Sequence, residues 1–162
     1  MAIHVLRAEL ELARPRAEVF AFFADASNLA RITPPELGFR IRTPLPVAMR
    51  PGALIDYTIG LYGIPMRWRT LISEWRENEE FVDEQLKGPY ALWVHRHTFT
   101  DTPKGTLVQD EVRYQLPFSP LGDIALPLVR RQLQRIFSFR EQSVRRLLLQ
   151  SRAPASRAPV PL

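Results

Sequence analysis

Two histidines set two residues apart, His95 and His97, sit between Trp93 and Phe99 in an alternating stretch. Side chains at i and i+2 of a strand share a face. Trp93, His95, His97 and Phe99 therefore point one way, and Val94, Arg96, Thr98 and Thr100 the other, where they suit a solvated surface. The next alternating stretch puts Thr106, Val108, Asp110, Val112 and Tyr114 on one face, opposite Gln109, Glu111, Arg113 and Gln115. Asp110 is thus expected to join the histidines inside. By the same rule Trp68, Thr70 and Ile72 face in and Arg67 and Arg69 face out, and Tyr57 adds a second inner phenol beside Tyr114. A carboxylate taken out of water needs a partner or it gives up its charge. His95, His97 and Arg140 are the partners at hand. Arg140 interrupts the apolar stripe of the last helix shortly after Ile136 and Phe137, so it could reach Asp110 or Asp83, or meet an acidic group of a ligand.

These residue types support three uses. The plainest is a hydrogen-bonded wall beside Trp93. The second is ligand contact or acid–base work, with His95 or His97 as base, Asp110 orienting it, and Arg140 or Tyr114 holding an enolate-like oxygen. The third is a metal held by two histidines and a carboxylate. The first leads, and neither a metal nor a cofactor is expected. There is no glycine-rich phosphate loop, no serine-nucleophile elbow and no CxxC. Phosphoryl transfer and Rossmann-type dinucleotide binding are not expected on that basis. Cysteine is absent altogether, which removes disulfides, thiolate metal sites and thiol catalysis.

The elements that must position these groups follow from periodicity. Residues 3–12 predict a first strand. Pro15 suits the first turn of a helix, and Val19, Phe20, Phe22 and Phe23 make that helix short and very apolar. Ser27 to Ile32 predicts a second helical turn, stopped by Pro34-Pro35. Alternation then takes over at 39–42, 53–61, 66–75, 81–87, 92–100 and 106–116, with separators short enough for hairpins. From about Pro127 to Gln150, Val129, Leu133, Ile136, Phe137, Val144, Leu147 and Leu148 recur three and four apart, opposite Arg131, Arg135, Ser138, Gln142 and Arg145. That is one amphipathic helix. The order predicts an α+β helix-grip architecture, with six or seven antiparallel strands curved around a long C-terminal helix. Seven strands at ~4.8 Å span about three times the width of one helix. The sheet must curl, and a ligand-sized cavity is the expected consequence.

The 162 residues fit a single domain at 1–150, followed by a Pro/Ala/Arg-rich stretch at 151–162 expected to be a mobile tail. The first residues alternate apolar and charged side chains and do not read as a signal peptide, and no apolar run is long enough to span a membrane. A cytoplasmic location is expected. The net charge of +5 is unevenly placed. Residues 1–120 hold 14 basic and 15 acidic side chains, whereas 121–162 hold eight arginines against Asp123 and Glu141. No specific nucleic-acid partner is expected, and the basic helix and tail leave room for weak contact with an anionic membrane surface.

The segment Arg14-Pro15…Val19-Phe20…Phe23-Ala24-Asp25…Asn28-Leu29…Thr33-Pro34-Pro35 resembles the opening of the SRPBCC superfamily, which includes START lipid-transfer domains, polyketide cyclases and the birch pollen allergen. The run Phe81-Val82-Asp83-Glu84-Gln85…Gly88-Pro89-Tyr90…Trp93…His95…His97…Phe99, followed by Asp110…Tyr114 and Phe137…Arg140, is similar to a bacterial ligand-binding subgroup. The resemblance covers about residues 3–150 and implies the helix-grip fold and its cavity. In the strand at 81–87 it favours Phe81, Asp83 and Gln85 facing in, whereas the apolar residues Val82 and Leu86 argue for the reverse. The expected ligand-contacting set is Tyr57, Trp68, Asp83, Gln85, Trp93, His95, His97, Phe99, Asp110, Tyr114, Phe137 and Arg140. The leading expectation is binding of a small hydrophobic or amphipathic molecule (lipid, quinone, polyketide or aromatic compound) without chemistry. The alternatives are a cyclase or dehydratase using the cavity His/Asp pair, and an interaction module acting through the basic helix and tail.

Overall fold

The computed structural model describes residues 2–149, so the tail expected at 151–162 lies outside the described residues. The chain runs β1 (His4–Leu12), α1 (Arg16–Ala24), three 3-10 turns, then β2 (Arg40–Ile41), β3 (Leu54–Leu61), β4 (Ile64–Arg76), β5 (Glu80–Lys87), β6 (Leu92–Thr102) and β7 (Gly105–Gln115). A further 3-10 turn at Leu121–Ala125 leads into α2 (Leu126–Leu149). The seven strands form one antiparallel sheet in the order β1-β7-β6-β5-β4-β3-β2. Only the β1–β7 pairing is non-consecutive, because α1 and the 3-10 turns carry the chain from one sheet edge to the other.

The turns explain the meander. Tyr62 and Gly63 both have positive φ (52° and 78°), the two-residue geometry that matches strand twist in a hairpin. The strand expected at 39–42 shrinks to two residues paired with Thr58 and Tyr57. It is an edge strand whose neighbours Pro44 and Pro46 cannot extend the ladder. The helical turn expected at 27–32 is two 3-10 turns, Ala26–Asn28 and Ala30–Ile32. Asp25 caps the first through Ser27, whose N–H and hydroxyl both donate to its carboxylate.

The concave face holds the core. Phe20 of α1 makes edge-on contacts with Trp75, Phe81 and Phe99 and seals one end with Leu12, Val19 and Val108. At the other end Trp68, Ile59 and Leu61 gather with Leu37. Helix α2, about 36 Å long, lays Leu133, Ser143 and Val144 against the sheet and leaves Arg131, Arg135, Ser138, Gln142 and Arg145 in solvent, as its periodicity predicts.

Candidate functional site

Between the two ends of the core a cavity of about 160 Å³ remains. Its wall is mostly apolar. Tyr57, Trp68, Tyr90 and Trp93 form one connected aromatic group, with Tyr57 stacked on Trp68 and Trp93 edge-on to it. Phe22, Phe23 and the 3-10 turns close a second side, and Leu133, Ile136 and Phe137 of α2 close a third.

One polar cluster enters this wall. His95 and His97 stack with ring centroids 3.7 Å apart, as neighbours on one strand face must, and Phe81 stacks on His97 at 4.2 Å. Register brings two carboxylates alongside, Asp83 opposite His95 across β5–β6 and Asp110 opposite His97 across β6–β7, and the shortest bonds run diagonally between them. His95 Nε2 meets Asp110 Oδ1 at 2.7 Å, and His97 Nε2 meets Asp83 Oδ2 at 2.6 Å. His97 Nδ1 lies 3.1 Å from Asp110 Oδ1. From α2, Arg140 Nη2 stands 3.3 Å from that same nitrogen and 3.6 Å from Asp110 Oδ1, while its guanidinium covers the rings of Phe23 and Phe137.

Charge balance favours one arrangement of the protons. With both histidines neutral, two carboxylates would face one arginine. A proton on His97, whose two nitrogens lie beside the two carboxylates, brings the sum to zero. Burial pushes the His97 pKa down, but the bonds to Asp110 and Asp83 outweigh it, and the net shift is upward. For His95, burial and the neighbouring His97 prevail over Asp110, and its pKa falls. His95 therefore donates from Nε2 and keeps a lone pair on Nδ1, whose nearest cluster oxygen, Asp83 Oδ2, is 3.9 Å away. Burial raises both carboxylates, yet Arg140 and the histidines hold Asp110 well below the ordinary range and Asp83 below it.

A pH dependence with a definite sign follows. A raised pKa contributes stability below the free-histidine value of 6.5 and loses it as pH climbs through the folded value. The lowered groups act on the acid side: His95 contributes above 6.5 and the aspartates above 3.8, each losing its contribution as pH falls through the folded pKa. Above pH 6.5, then, only His97 of this cluster is in play. Urea midpoints measured from pH 7 to 9 are expected to fall for the wild type and to stay level for His97→Gln. A wild-type slope that survives in His97→Gln would place the titrating group elsewhere.

Asp83, His95 and His97 also offer three donor atoms within 4.8 Å of one another, the set a divalent cation could gather. A metal there would displace the His97 proton beside Asp83, so proton and metal compete for one place.

Of the twelve residues expected from sequence, eight border the cavity: Tyr57, Trp68, Asp83, Trp93, His95, His97, Phe137 and Arg140. The other four do not. Asp110 lies behind the histidines, as their partner. Phe99 belongs to the sealed core around Phe20, and Tyr114 packs with Val112, Leu116 and Leu133 beyond the cavity end. Gln85 turns to the hairpin, where its amide donates to the Tyr90 carbonyl and accepts from the Tyr90 N–H. Gly88 leaves the room for this, since a β-carbon there would meet the Gln85 amide. That clamp presents Tyr90, a wall residue absent from the expected set. The Gly-Pro-Tyr turn was its only signal.

Charge is also placed less simply than the sums suggest. On the outer face of β3–β5, Arg42, Arg67, Arg69 and Lys87 surround Asp56 in a hollow of about 430 Å³, although residues 1–120 are nearly neutral in total. Among the described residues only Arg69 is paired there, to Asp56.

A curved antiparallel sheet gripping one long helix, with an apolar cavity between them, is the helix-grip architecture of the START and SRPBCC proteins. The chain belongs to the family described as polyketide cyclase / dehydrase and lipid transport, whose model matches residues 12–138. Among solved structures it is similar to the Zhui aromatase/cyclase from Streptomyces sp. R1128 (TM-score 0.75, 13% identity, 98% of this chain and 100% of that one). It is also similar to the protein TTHA0849 from Thermus thermophilus (TM-score 0.69, 20% identity, 93% and 100%). A START superfamily protein from Mycobacterium smegmatis matches with TM-score 0.65 and 16% identity over 90% and 98% of the two chains. At these identities the likeness establishes the fold. Comparison with curated proteins finds no match.

Proposed function

We propose that this protein is a cytoplasmic binder or carrier of a small, uncharged aromatic molecule that presents a hydroxyl group to the His95–Asp83 edge of the cavity. The observation that carries the reading is one buried cluster of charged groups, without surplus positive charge, set in a mostly apolar wall. An apolar cavity of ~150 Å³ is large enough to take up benzene, so about 160 Å³ suits one aromatic ring better than a long acyl chain. The cluster sums to zero with His97 protonated and to minus one without, so a carboxylate head finds no net attraction there. The wall offers acceptors, His95 Nδ1 and Asp83 Oδ1, which takes no hydrogen bond among the described residues, and also donors, Arg140 and the unpartnered Nε1–H of Trp68. A hydroxyl suits both, since it donates to the first and accepts from the second. The absence of cysteine accords with a reducing compartment.

Four probes test this by calorimetry: p-cresol, its isostere p-xylene, 4-methylbenzoate and decanoate. One hydrogen bond to a charged acceptor corresponds to roughly tenfold in affinity, so p-cresol is expected to bind at least about tenfold more tightly than the other three. Equal binding of p-cresol and p-xylene would remove the hydroxyl requirement. Tightest binding of 4-methylbenzoate would overturn the charge argument, and no binding of any probe the cavity reading itself.

One observation favours a second reading. The unbonded Nδ1 of His95, backed by Asp110 on Nε2, has the form of an oriented general base, which cyclase or dehydratase chemistry requires.

A further inference from the structure

We propose that the segment Phe118–Leu128, with the tip of the β3–β4 hairpin, is a docking face for an anionic lipid bilayer. Phe118, Leu121 and Ile124 are 86%, 74% and 78% exposed, and Leu128, Tyr62 and Ile64 are each more than half exposed. Large apolar side chains left this open on a folded domain mark an interaction surface when they cluster. They cluster here because Leu121 and Ile124 stand three apart on a 3-10 turn, which places them on one side. The Tyr62 hydroxyl then ties the hairpin to the start of α2 by donating to the Leu128 carbonyl at 3.2 Å. The turn is held in shape: the Gly122 N–H donates to the Phe118 carbonyl, and the Ser119 hydroxyl to Asp123. The apolar side chains are thus presented by a built element.

Charge selects the partner. Arg130 and Arg131 follow on the first turns of α2, exposed and without an ion pair among the described residues, and Arg67 follows Ile64 on β4. The one acidic residue of the turn, Asp123, is turned inward, with one oxygen accepting from Ser119 and the other buried, so the arginines outnumber it at the surface. Apolar side chains fringed by cations match the interior and headgroups of an anionic membrane. A second copy would bring the same arginines against their counterparts. None of the described helices is long and apolar enough to cross a bilayer, so the contact is peripheral. The face also adjoins the cavity. Leu61, next to Tyr62, and Leu133, shortly beyond Leu128, both line it. Docking would set the end of the cavity against the lipid from which an apolar molecule partitions, whichever molecule the cavity takes.

The test uses the full chain and sedimentation with vesicles of phosphatidylcholine alone or with 30% phosphatidylglycerol. Wild type is expected to bind the anionic vesicles, less so in high salt, and to bind neutral ones weakly. Fully burying one such side chain is worth roughly tenfold in partitioning. A triple variant, Phe118→Ser with Leu121→Ser and Ile124→Ser, is therefore expected to lose about a thousandfold with an unchanged unfolding midpoint. The pair Arg130→Glu with Arg131→Glu is expected to lose the salt-sensitive part. No binding of wild type to anionic vesicles would overturn the proposal. So would unchanged binding of the triple variant, which would assign the effect to charge in the helix and tail. A wild-type dimer that the triple variant converts to monomer, without vesicle binding, would assign the face to a second copy instead.

Discussion

Asp110→Ala is expected to cost about 3–5 kcal/mol of unfolding free energy, the range seen when one partner of a buried ion pair is removed. The Asp110 carboxylate serves three groups from three directions: His95 at 2.7 Å, His97 at 3.1 Å and Arg140 at 3.6 Å. It is nearly buried, so water cannot take its place. Without it, Arg140 and a protonated His97 share one remaining carboxylate, Asp83, and the Nε2–H of His95 has no acceptor. His97 relieves part of the cost by giving up its proton, which sets a second readout: its pKa, followed by NMR, should drop in the variant. Asp110→Asn keeps the shape and one acceptor oxygen but not the charge, so its cost should be roughly half. Equal costs for the two variants would show that the charge matters and the hydrogen bond does not. A loss under about 1 kcal/mol for Asp110→Ala would mean that Arg140 swings into solvent and that the cluster is not held together as described.

The route from sequence to this cluster was short where strands are regular. His95, His97 and Asp110 lie on uninterrupted ladders, so alternation alone put them on one face and the register made them neighbours. Asp83 was harder, because both its face and the opposite one carry buried residues. Val82 is 2% exposed, yet it lies on the outer side between Glu74 and Arg96. Those two pair with each other, and their stems cover it. Counting apolar residues therefore pointed the wrong way, and the family resemblance pointed to the inward Asp83. Gln85 shares that inward face but not the cavity, since a side chain clamped to a turn's backbone leaves no periodic trace. Nor was the exposed character of Phe118, Leu121 and Ile124 legible. In a row of residues an apolar side chain predicts burial, and only the packed structure shows which ones found nothing to pack against.

Ile136→Trp is expected to abolish p-cresol binding, at least a hundredfold, while leaving a folded protein. Ile136 projects from the middle of α2 into the cavity, against the cluster of Trp68, Tyr90 and Trp93. The added ring has one place to go, the cavity of about 160 Å³, and filling it removes the space in which a ligand ring would lie. Stability should change little. New apolar area leaves water at roughly 25 cal/mol per Å², and the strain of an imperfect fit, typically about 1–3 kcal/mol, offsets much of it. The polar cluster lies on β5, β6 and β7 and on Arg140 one turn away, so the His97 pKa should stay raised. This separates occupation of the cavity from damage to the cluster. Asp83→Asn makes the converse variant, with the space intact and a charged acceptor lost, and should narrow the p-cresol preference over p-xylene without ending binding. If Ile136→Trp folds with the wild-type midpoint and still binds p-cresol at wild-type affinity, the molecule is held elsewhere, and the basic hollow behind Tyr57 and Trp68 becomes the place to look.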